Sequence, residues 1–384
     1  MGDIKKNIKK YGALLIIKIF NLLPIKNNKI FLESYYGSQY GCNPKYISEY
    51  IVNNYSKGKF DVVWSFTNLD GKESIKGVRK VKTMSLKYFY ELCTSKIIIT
   101  NYRTTDMFIK RKNQYYIQTW HSSLRLKKIE KDAKETLKPE YIEMAKRDSK
   151  KLDLLLSGCR YSTKIFRDAF WYDGKILECG TPRNDLFFME GEENKKYIKE
   201  KLGIAPDKKV ILYAPTFRKD NKLDVYNIDY DKVTMALKNK FGGEWVFIIR
   251  LHPHLVNRSK EIIKGQDIID ATKYDDIQEL LSISDVLISD YSSLMFDFAP
   301  TKRPCFLYVP DLYEYTKNDR GLYFDIEELP FINIFNNDEF KLAIENFDKK
   351  QYDKKIDEFL YKIGSFEDGK ACERMMKCIE KICF

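Results

Sequence analysis

The chain has 384 residues, of which 44% are hydrophobic and 32% charged, and it is rich in Tyr (27) and Phe (24). That balance excludes a disordered chain, and the length exceeds one ordinary core, so two domains are expected. The net charge of +12 calls for an anionic partner; with no zinc-finger spacing and no aromatic-rich basic strand, the expectation is an anionic lipid surface or a phosphorylated substrate, and no nucleic acid.

Residues 1–28 open with Lys5, Lys6, Lys9 and Lys10, followed by an apolar run over residues 11–23 that Lys18 and Asn21 interrupt. The run falls short of the ~20 residues a spanning helix needs. No small-x-small cleavage site follows Pro24, which argues against a signal peptide. Seven lysines face one acid, Asp3, within residues 1–29. This composition predicts an amphipathic helix lying on an anionic leaflet, which makes the protein peripheral at the cytoplasmic face of the cell membrane. A first helix packed on the protein body with a solvated lysine face is the alternative.

Apolar stretches at residues 29–34, 60–66, 96–100, 115–119, 152–157 and 176–179 read as buried strands, with helices at 45–54 and 162–171. Strands alternating with helices predict a parallel sheet covered on both faces. The charged stretch 189–201 reads as an interdomain boundary or an exposed helix. A second series of strands follows at 209–214, 245–251, 267–270, 286–289 and 304–308. The expected organisation is a membrane-surface helix (1–28), an N-terminal α/β domain (29–190), a C-terminal α/β domain (191–365) and a C-terminal helix (366–384) that packs back on the N-terminal domain. Two Rossmann-like α/β domains in tandem make the GT-B layout, in which the ligand lies in the cleft between them.

All three histidines end predicted strands: His121 after the strand 115–119 of the first series, His252 and His254 around Pro253 in the second. Open α/β sheets bind ligands at strand C-termini, so His121 and His252 are candidate functional groups, while His254 is a weaker one that can simply face solvent. In Ser289-Asp290-Tyr291-Ser292-Ser293, a strand turns into a helix start, where Ser292 or Ser293 can cap the helix and free N–H groups can hold an anion. Arg183 follows Gly180-Thr181-Pro182, and Arg218 follows Thr216-Phe217 with Lys219 beyond it. A guanidinium holds phosphate oxygens through paired bonds; Arg183 could equally brace the domain junction through Asp185. The eight cysteines include no C-x-x-C pair, which fits buried thiols in a reducing compartment. No metal-ligand spacing joins them to the histidines, and no metal and no cofactor are expected.

Together these motifs resemble the CDP-glycerol glycerophosphotransferase family, the teichoic-acid primase and polymerase type. The resemblance runs over residues 23–325. It rests on Gly41 to Tyr46, Gln118 to His121 with Leu126 to Ile129, Tyr161-Ser162-Thr163 with Phe166, Gly180 to Asp185, Tyr213 to Arg218, Arg250 to Pro253 and Ser289 to Asp297, all in order. It implies that an acceptor hydroxyl attacks the polyol-bearing phosphorus of a CDP-polyol, glycerol ahead of ribitol, and CMP leaves. The acceptor would be a lipid-linked cell-envelope glycan, teichoic acid or capsule; an oligomer is left open. By matching motif, His121 is the general base and His252 a donor-phosphate ligand or charge stabiliser. Arg218, Ser292, Ser293, Arg183 and Thr216 would contact the donor phosphates, and Asp290, Trp120, Ser122 and Asn43 the substrates. Many relatives carry Gly-Thr-Pro after the motif histidine where this chain has Ser122-Ser123-Leu124-Arg125, which bears on the acceptor. The long N-terminal extension of many polymerases is missing, so single addition is expected. A GT-B nucleotide-sugar glycosyltransferase is the alternative, against which stands the lack of an E-x6-E pattern around residues 280–300. A surface-binding protein that kept the fold without catalysis is a second alternative.

Overall fold

A computed structural model of the chain describes residues 2–189, 191–218, 223–263, 268–318 and 321–384. Lys219 and Asp267 of the sequence reading, like Glu190 in the charged stretch, lie outside the described residues, as do the side chains of Lys5, Lys6, Lys9 and Lys10. The chain forms two compact units: Met1–His121, Ile129–Asp185 and Phe366–Phe384 make the first, and Ser122–Lys128 with Leu186–Ser365 the second.

The first unit is built on a parallel sheet of β1 (Lys26–Glu33), β2 (Asp61–Phe66), β3 (Arg79–Lys82), β4 (Ser95–Thr100), β5 (Tyr115–Gln118), β6 (Leu154–Ser157) and β7 (Lys175–Glu178). Its order is β3-β2-β1-β4-β5-β6-β7. The β-branched runs Lys-Ile-Phe-Leu and Lys-Ile-Ile-Ile pair in register, Ile30 with Ile97 and Leu32 with Ile99, and each of those four side chains is buried. Burial on both faces explains why the strands read as continuous apolar runs rather than alternating ones. One side of the sheet closes on Ile47, Trp64 and, from the last helix (Ala371–Cys383), Met375, Met376 and Ile379. That helix starts on a borrowed cap: the Asp185 carboxylate accepts the backbone N–H groups of Ala371 and Cys372 at 3.0 and 2.7 Å. The first helix (Gly2–Phe20) buries Ala13 and Ile17 against Phe89 and Cys93 of the helix Leu86–Thr94.

The second unit carries β8 (Lys209–Tyr213), β9 (Trp245–Ile249), β10 (Ile268–Asp270), β11 (Val286–Ser289), β12 (Cys305–Tyr308) and β13 (Ile332–Ile334), also parallel, in the order β10-β9-β8-β11-β12-β13. Its core gathers Ile211, Tyr213, Phe247, Ile249, Val286, Ile288 and Phe306. The strands β3 and β13 were not expected from the sequence, because Arg-Lys-Val-Lys and Ile-Asn-Ile are short and polar-interrupted edge segments. The charged stretch proves to be a largely exposed helix, Glu192–Lys201, that buries Ile198 alone.

Both sheets reverse their strand order once, between β1 and β4 and between β8 and β11, and such switch points leave the loops beyond the strand C-termini free to hold ligands. Replacing a cap costs roughly 0.5–2 kcal/mol. Asp185→Ala is therefore expected to lower the melting temperature by a few degrees and to raise amide exchange selectively in the helix Ala371–Cys383; uniform exchange in that helix would contradict the cap.

Candidate functional site

In the first unit the loops after β1, β5 and β7 converge on one residue, Asn43, at the start of the helix Cys42–Asn54. Its amide nitrogen donates to the carbonyls of Thr119 and Trp120 at 3.3 and 3.2 Å, and its oxygen accepts the Arg183 backbone N–H at 3.1 Å. Asn43 is 1% exposed, so it ties the Gly180–Asp185 loop to the strand end that carries His121. Gly180 is required there: at φ +87° a side chain would be strained, and a Cβ would lie 3.0 Å from the Phe366 carbonyl. Arg183 is buried, with its guanidinium against the Cys42 sulfur. Asp185 caps the last helix, so it is not the partner of Arg183 that the sequence allowed.

Trp120 sits at a left-handed φ of 49°, unusual for a residue with a Cβ. Its N–H donates to the Gln118 side chain at 2.9 Å. Its ring stacks on His121 at 4.7 Å and meets Phe170 edge-on. The turn thus fixes the His121 ring beyond β5. His121 Nδ1 lies 3.4 Å from the Asn101 carbonyl oxygen, which can only accept. In a neutral ring that carbonyl favours the proton on Nδ1, which leaves Nε2 unprotonated.

In the second unit the loops after β8 and β11 are locked by Arg218, which is 6% exposed. Its Nε and Nη2 donate to both Asp311 oxygens at 2.6 and 3.1 Å, and its Nη1 lies 2.9 Å from Asp290 and donates to the Thr216 carbonyl. The guanidinium also lies 4.9 and 4.8 Å from the Tyr291 and Tyr315 rings, which stack on each other at 3.7 Å. Asp290 accepts from the Thr216 N–H and hydroxyl as well. Thr216, Arg218 and Asp290 are thus brought together, but with their polar groups turned on one another. Asp311, Tyr291 and Tyr315 complete the group and were missed by sequence reasoning. A cavity of about 770 Å³ opens beside it, lined by Pro310, Leu312, Tyr313, Phe324, Asp325 and Phe335 among others, within the size range of small-ligand sites.

Ser292 and Ser293 precede a helix of only five residues, Leu294–Phe298, whose dipole is correspondingly small. The Ser292 hydroxyl accepts the Leu294 N–H at 3.3 Å; Ser293, at the cap position, instead accepts the Leu126 N–H at 3.4 Å. Ser123 N–H donates to buried Asp297, Lys128 N–H to the Gly321 carbonyl, and Tyr323 N–H to the Leu126 carbonyl. Residues 122–128 are thereby laced into the second unit, and Ser122, 8% exposed, spends its carbonyl on Arg125.

His252 follows β9, beside β8, with its ring accessible and near Phe217 and His254. Its Nδ1 accepts the His254 backbone N–H at 3.3 Å, so in the neutral ring the proton sits on Nε2. Partial desolvation first, then the neighbouring His254, Arg250 and Lys127, push its pKa down to about 4. At neutral pH His252 is a neutral N–H donor. Protonation would set in only as pH falls towards that value, so the Kd for a diphosphate-diester ligand is expected to stay flat between about pH 5.5 and 8. A step in Kd centred near pH 6.5 that vanishes in His252→Gln would show a cationic role instead.

Among the described residues no cluster of His, Cys, Asp and Glu could hold a metal ion. A family model described as CDP-glycerol:poly(glycerophosphate) glycerophosphotransferase matches residues 15–381. The chain is 38% identical over 347 residues to a teichoic acid poly(glycerol phosphate) polymerase of Bacillus spizizenii, covering 84% of this chain and 86% of that one. It is 35% identical to a teichoic acid glycerol-phosphate transferase of Staphylococcus aureus, covering 98% of this chain and all of the other. The chain spans about half the length of two further polymerases of the first name. A solved structure of a variant of the wall teichoic acid polymerase TagF superimposes with a TM-score of 0.84 at 33% identity, over 98% of this chain and 96% of that one.

Proposed function

This chain belongs to the CDP-glycerol:poly(glycerophosphate) glycerophosphotransferase family, and we propose from that premise that it transfers glycerol phosphate from CDP-glycerol to a hydroxyl of a teichoic acid or related glycan, releasing CMP. The observation that carries the division of labour is the opposite backbone group facing each motif histidine's Nδ1, a carbonyl at His121 and an N–H at His252. His121, with Nε2 unprotonated, takes the proton of the acceptor hydroxyl, whose oxygen then bonds to the glycerol-bearing phosphorus. The bond from that phosphorus to the bridging oxygen breaks, and CMP keeps the electron pair. His252, with Nε2–H, donates a hydrogen bond to the donor's diphosphate, where charge grows as CMP leaves. A neutral donor suits this place, because it adds no proton-dependent step to donor binding.

The accessible hydroxyl edge at Ser292 and Ser293 contacts the same diphosphate. The cavity beside Asp311 takes the nucleoside, for which its size supports the assignment. Arg218, Thr216 and Asp290 act one layer behind the ligand, since their charged groups and donors are already engaged with Asp311 and each other. Asn43, Arg183 and Trp120 likewise hold the His121 turn rather than the substrate, and Ser122 anchors the segment that follows it. With CDP-glycerol and a lipid-linked acceptor, His121→Ala is expected to cut kcat by a factor of about 10²–10⁴ with little change in donor Kd. CMP release at the wild-type rate in that variant would remove His121 from the chemistry.

We further propose that the first helix rests on an anionic membrane surface. The face of it that is not packed on the protein exposes Tyr11, Leu15 and Ile19, with Leu22 just beyond, at 54–84%. Lys18 and Lys26 are exposed beside them, in a segment where seven lysines face one acid. No helix among the described residues is long and apolar enough to cross a membrane. Replacing Leu15 and Ile19 together by Gln leaves the buried face intact. It is expected to release the protein from phosphatidylglycerol-containing vesicles, with wild-type binding weakening as salt rises. Equal sedimentation of variant and wild type would exclude this face.

A further inference from the structure

Just beyond β1 the chain does something costly. Tyr35 and Tyr36 are consecutive residues at left-handed φ of 47° and 56°, a conformation that bulky side chains rarely adopt. The strain is held by named contacts: the Tyr35 N–H donates to the Asn101 side chain at 2.9 Å. The result is that the Tyr36 ring lies on the Tyr102 ring, centroids 3.9 Å apart at 36°. Tyr36 remains 50% exposed, so one side of this pair is open.

Two separate tethers fix the pair relative to His121. Asn101 holds Tyr35 with its side chain and His121 Nδ1 with its carbonyl. Gln118 donates to the Tyr102 carbonyl at 2.6 Å and accepts from Trp120, whose ring stacks on His121. The lower ring is anchored as well, because the Tyr102 hydroxyl donates to the buried Glu33 carboxylate. An exposed aromatic surface is thus built, under backbone strain, and tied through Asn101 and Gln118 to the turn that carries His121.

We infer that the open face of the Tyr36–Tyr102 pair is the acceptor platform, taking the C–H face of the uncharged sugar or polyol unit that carries the attacking hydroxyl. This rests on the transferase reading and names the part of the acceptor that sits next to His121. Burial first, then Asp148, Glu130 and Glu33, push the Tyr36 hydroxyl above its usual range, with Arg103 acting the other way, so it stays a neutral hydrogen-bonding group at the edge of the ring pair. A carbohydrate C–H face gains ring contact on such a surface without needing a charged partner.

The test compares Tyr36→Asn and Tyr36→Gly, which both tolerate the left-handed backbone, with Tyr36→Phe, which keeps the ring. CMP release from CDP-glycerol is followed with a lipid-linked disaccharide as acceptor, and with the same disaccharide already bearing one glycerol phosphate. Loss of the ring is expected to raise the acceptor KM about tenfold, the scale of one good aromatic contact, while donor Kd and kcat at saturating acceptor stay within twofold and Tyr36→Phe stays near wild type. An unchanged acceptor KM in both ring-free variants, or equal loss in Tyr36→Phe, overturns the platform. Absence of CMP release by the wild type with either acceptor overturns instead the transferase reading beneath it.

Discussion

A guanidinium set between two carboxylates is what gives the second unit its ligand-facing loops. Parallel strands end with their last carbonyls and N–H groups unpaired, and the loops after β8 and β11 have no sheet to define them. Arg218 supplies that definition by bonding Asp290 on one side and Asp311 on the other, beside two tyrosines stacked on each other. Breaking a buried ion pair from one side costs about 3–5 kcal/mol because the partner charge is stranded, and here both partners would be stranded at once. One guanidinium faces two carboxylates, so the arginine's own charge is fully taken up within the group and what it gives the site is rigidity.

The first unit reaches the same end with neutral groups. Asn43 uses its side-chain amide as a splint between the Thr119–Trp120 turn and the loop that carries Arg183. Around it, non-glycine residues in the left-handed region gather at the strand ends, namely Tyr35, Tyr36, Cys42 and Trp120. Strain of this kind persists only where surrounding contacts over-determine it. The two histidines differ in their backbone partners: a carbonyl lies beside one Nδ1 and an N–H beside the other.

Much of this was legible in the residues. Two parallel α/β units follow from apolar runs separated by helices, and the histidines at strand ends follow from where open sheets leave room. The family follows from seven motifs in order. What escaped has physical causes. The strands β3 and β13 are edge strands, where little apolar burial is needed and the pattern fades. The pairing of Arg218 with Asp311 escaped because a charged residue after a strand does not reveal which carboxylate it meets, here one 93 residues away. Tyr291 and Tyr315 are ordinary aromatics until the fold stacks them. The strained Tyr35–Tyr36 pair carries no glycine or asparagine to announce its backbone.

The seven residues after His121 have a practical implication for dissecting the molecule. Ser122–Lys128 count with the second unit, pairing Lys127 with Leu322 and bonding residues 321 and 323 through the main chain. A fragment cut to begin at Leu186 would therefore lack one of its own structural segments and expose an unpaired edge at Gly321–Tyr323. A stable donor-side fragment must receive that heptapeptide back, fused through a linker or added in trans, which makes this short segment a natural seam for split-protein complementation.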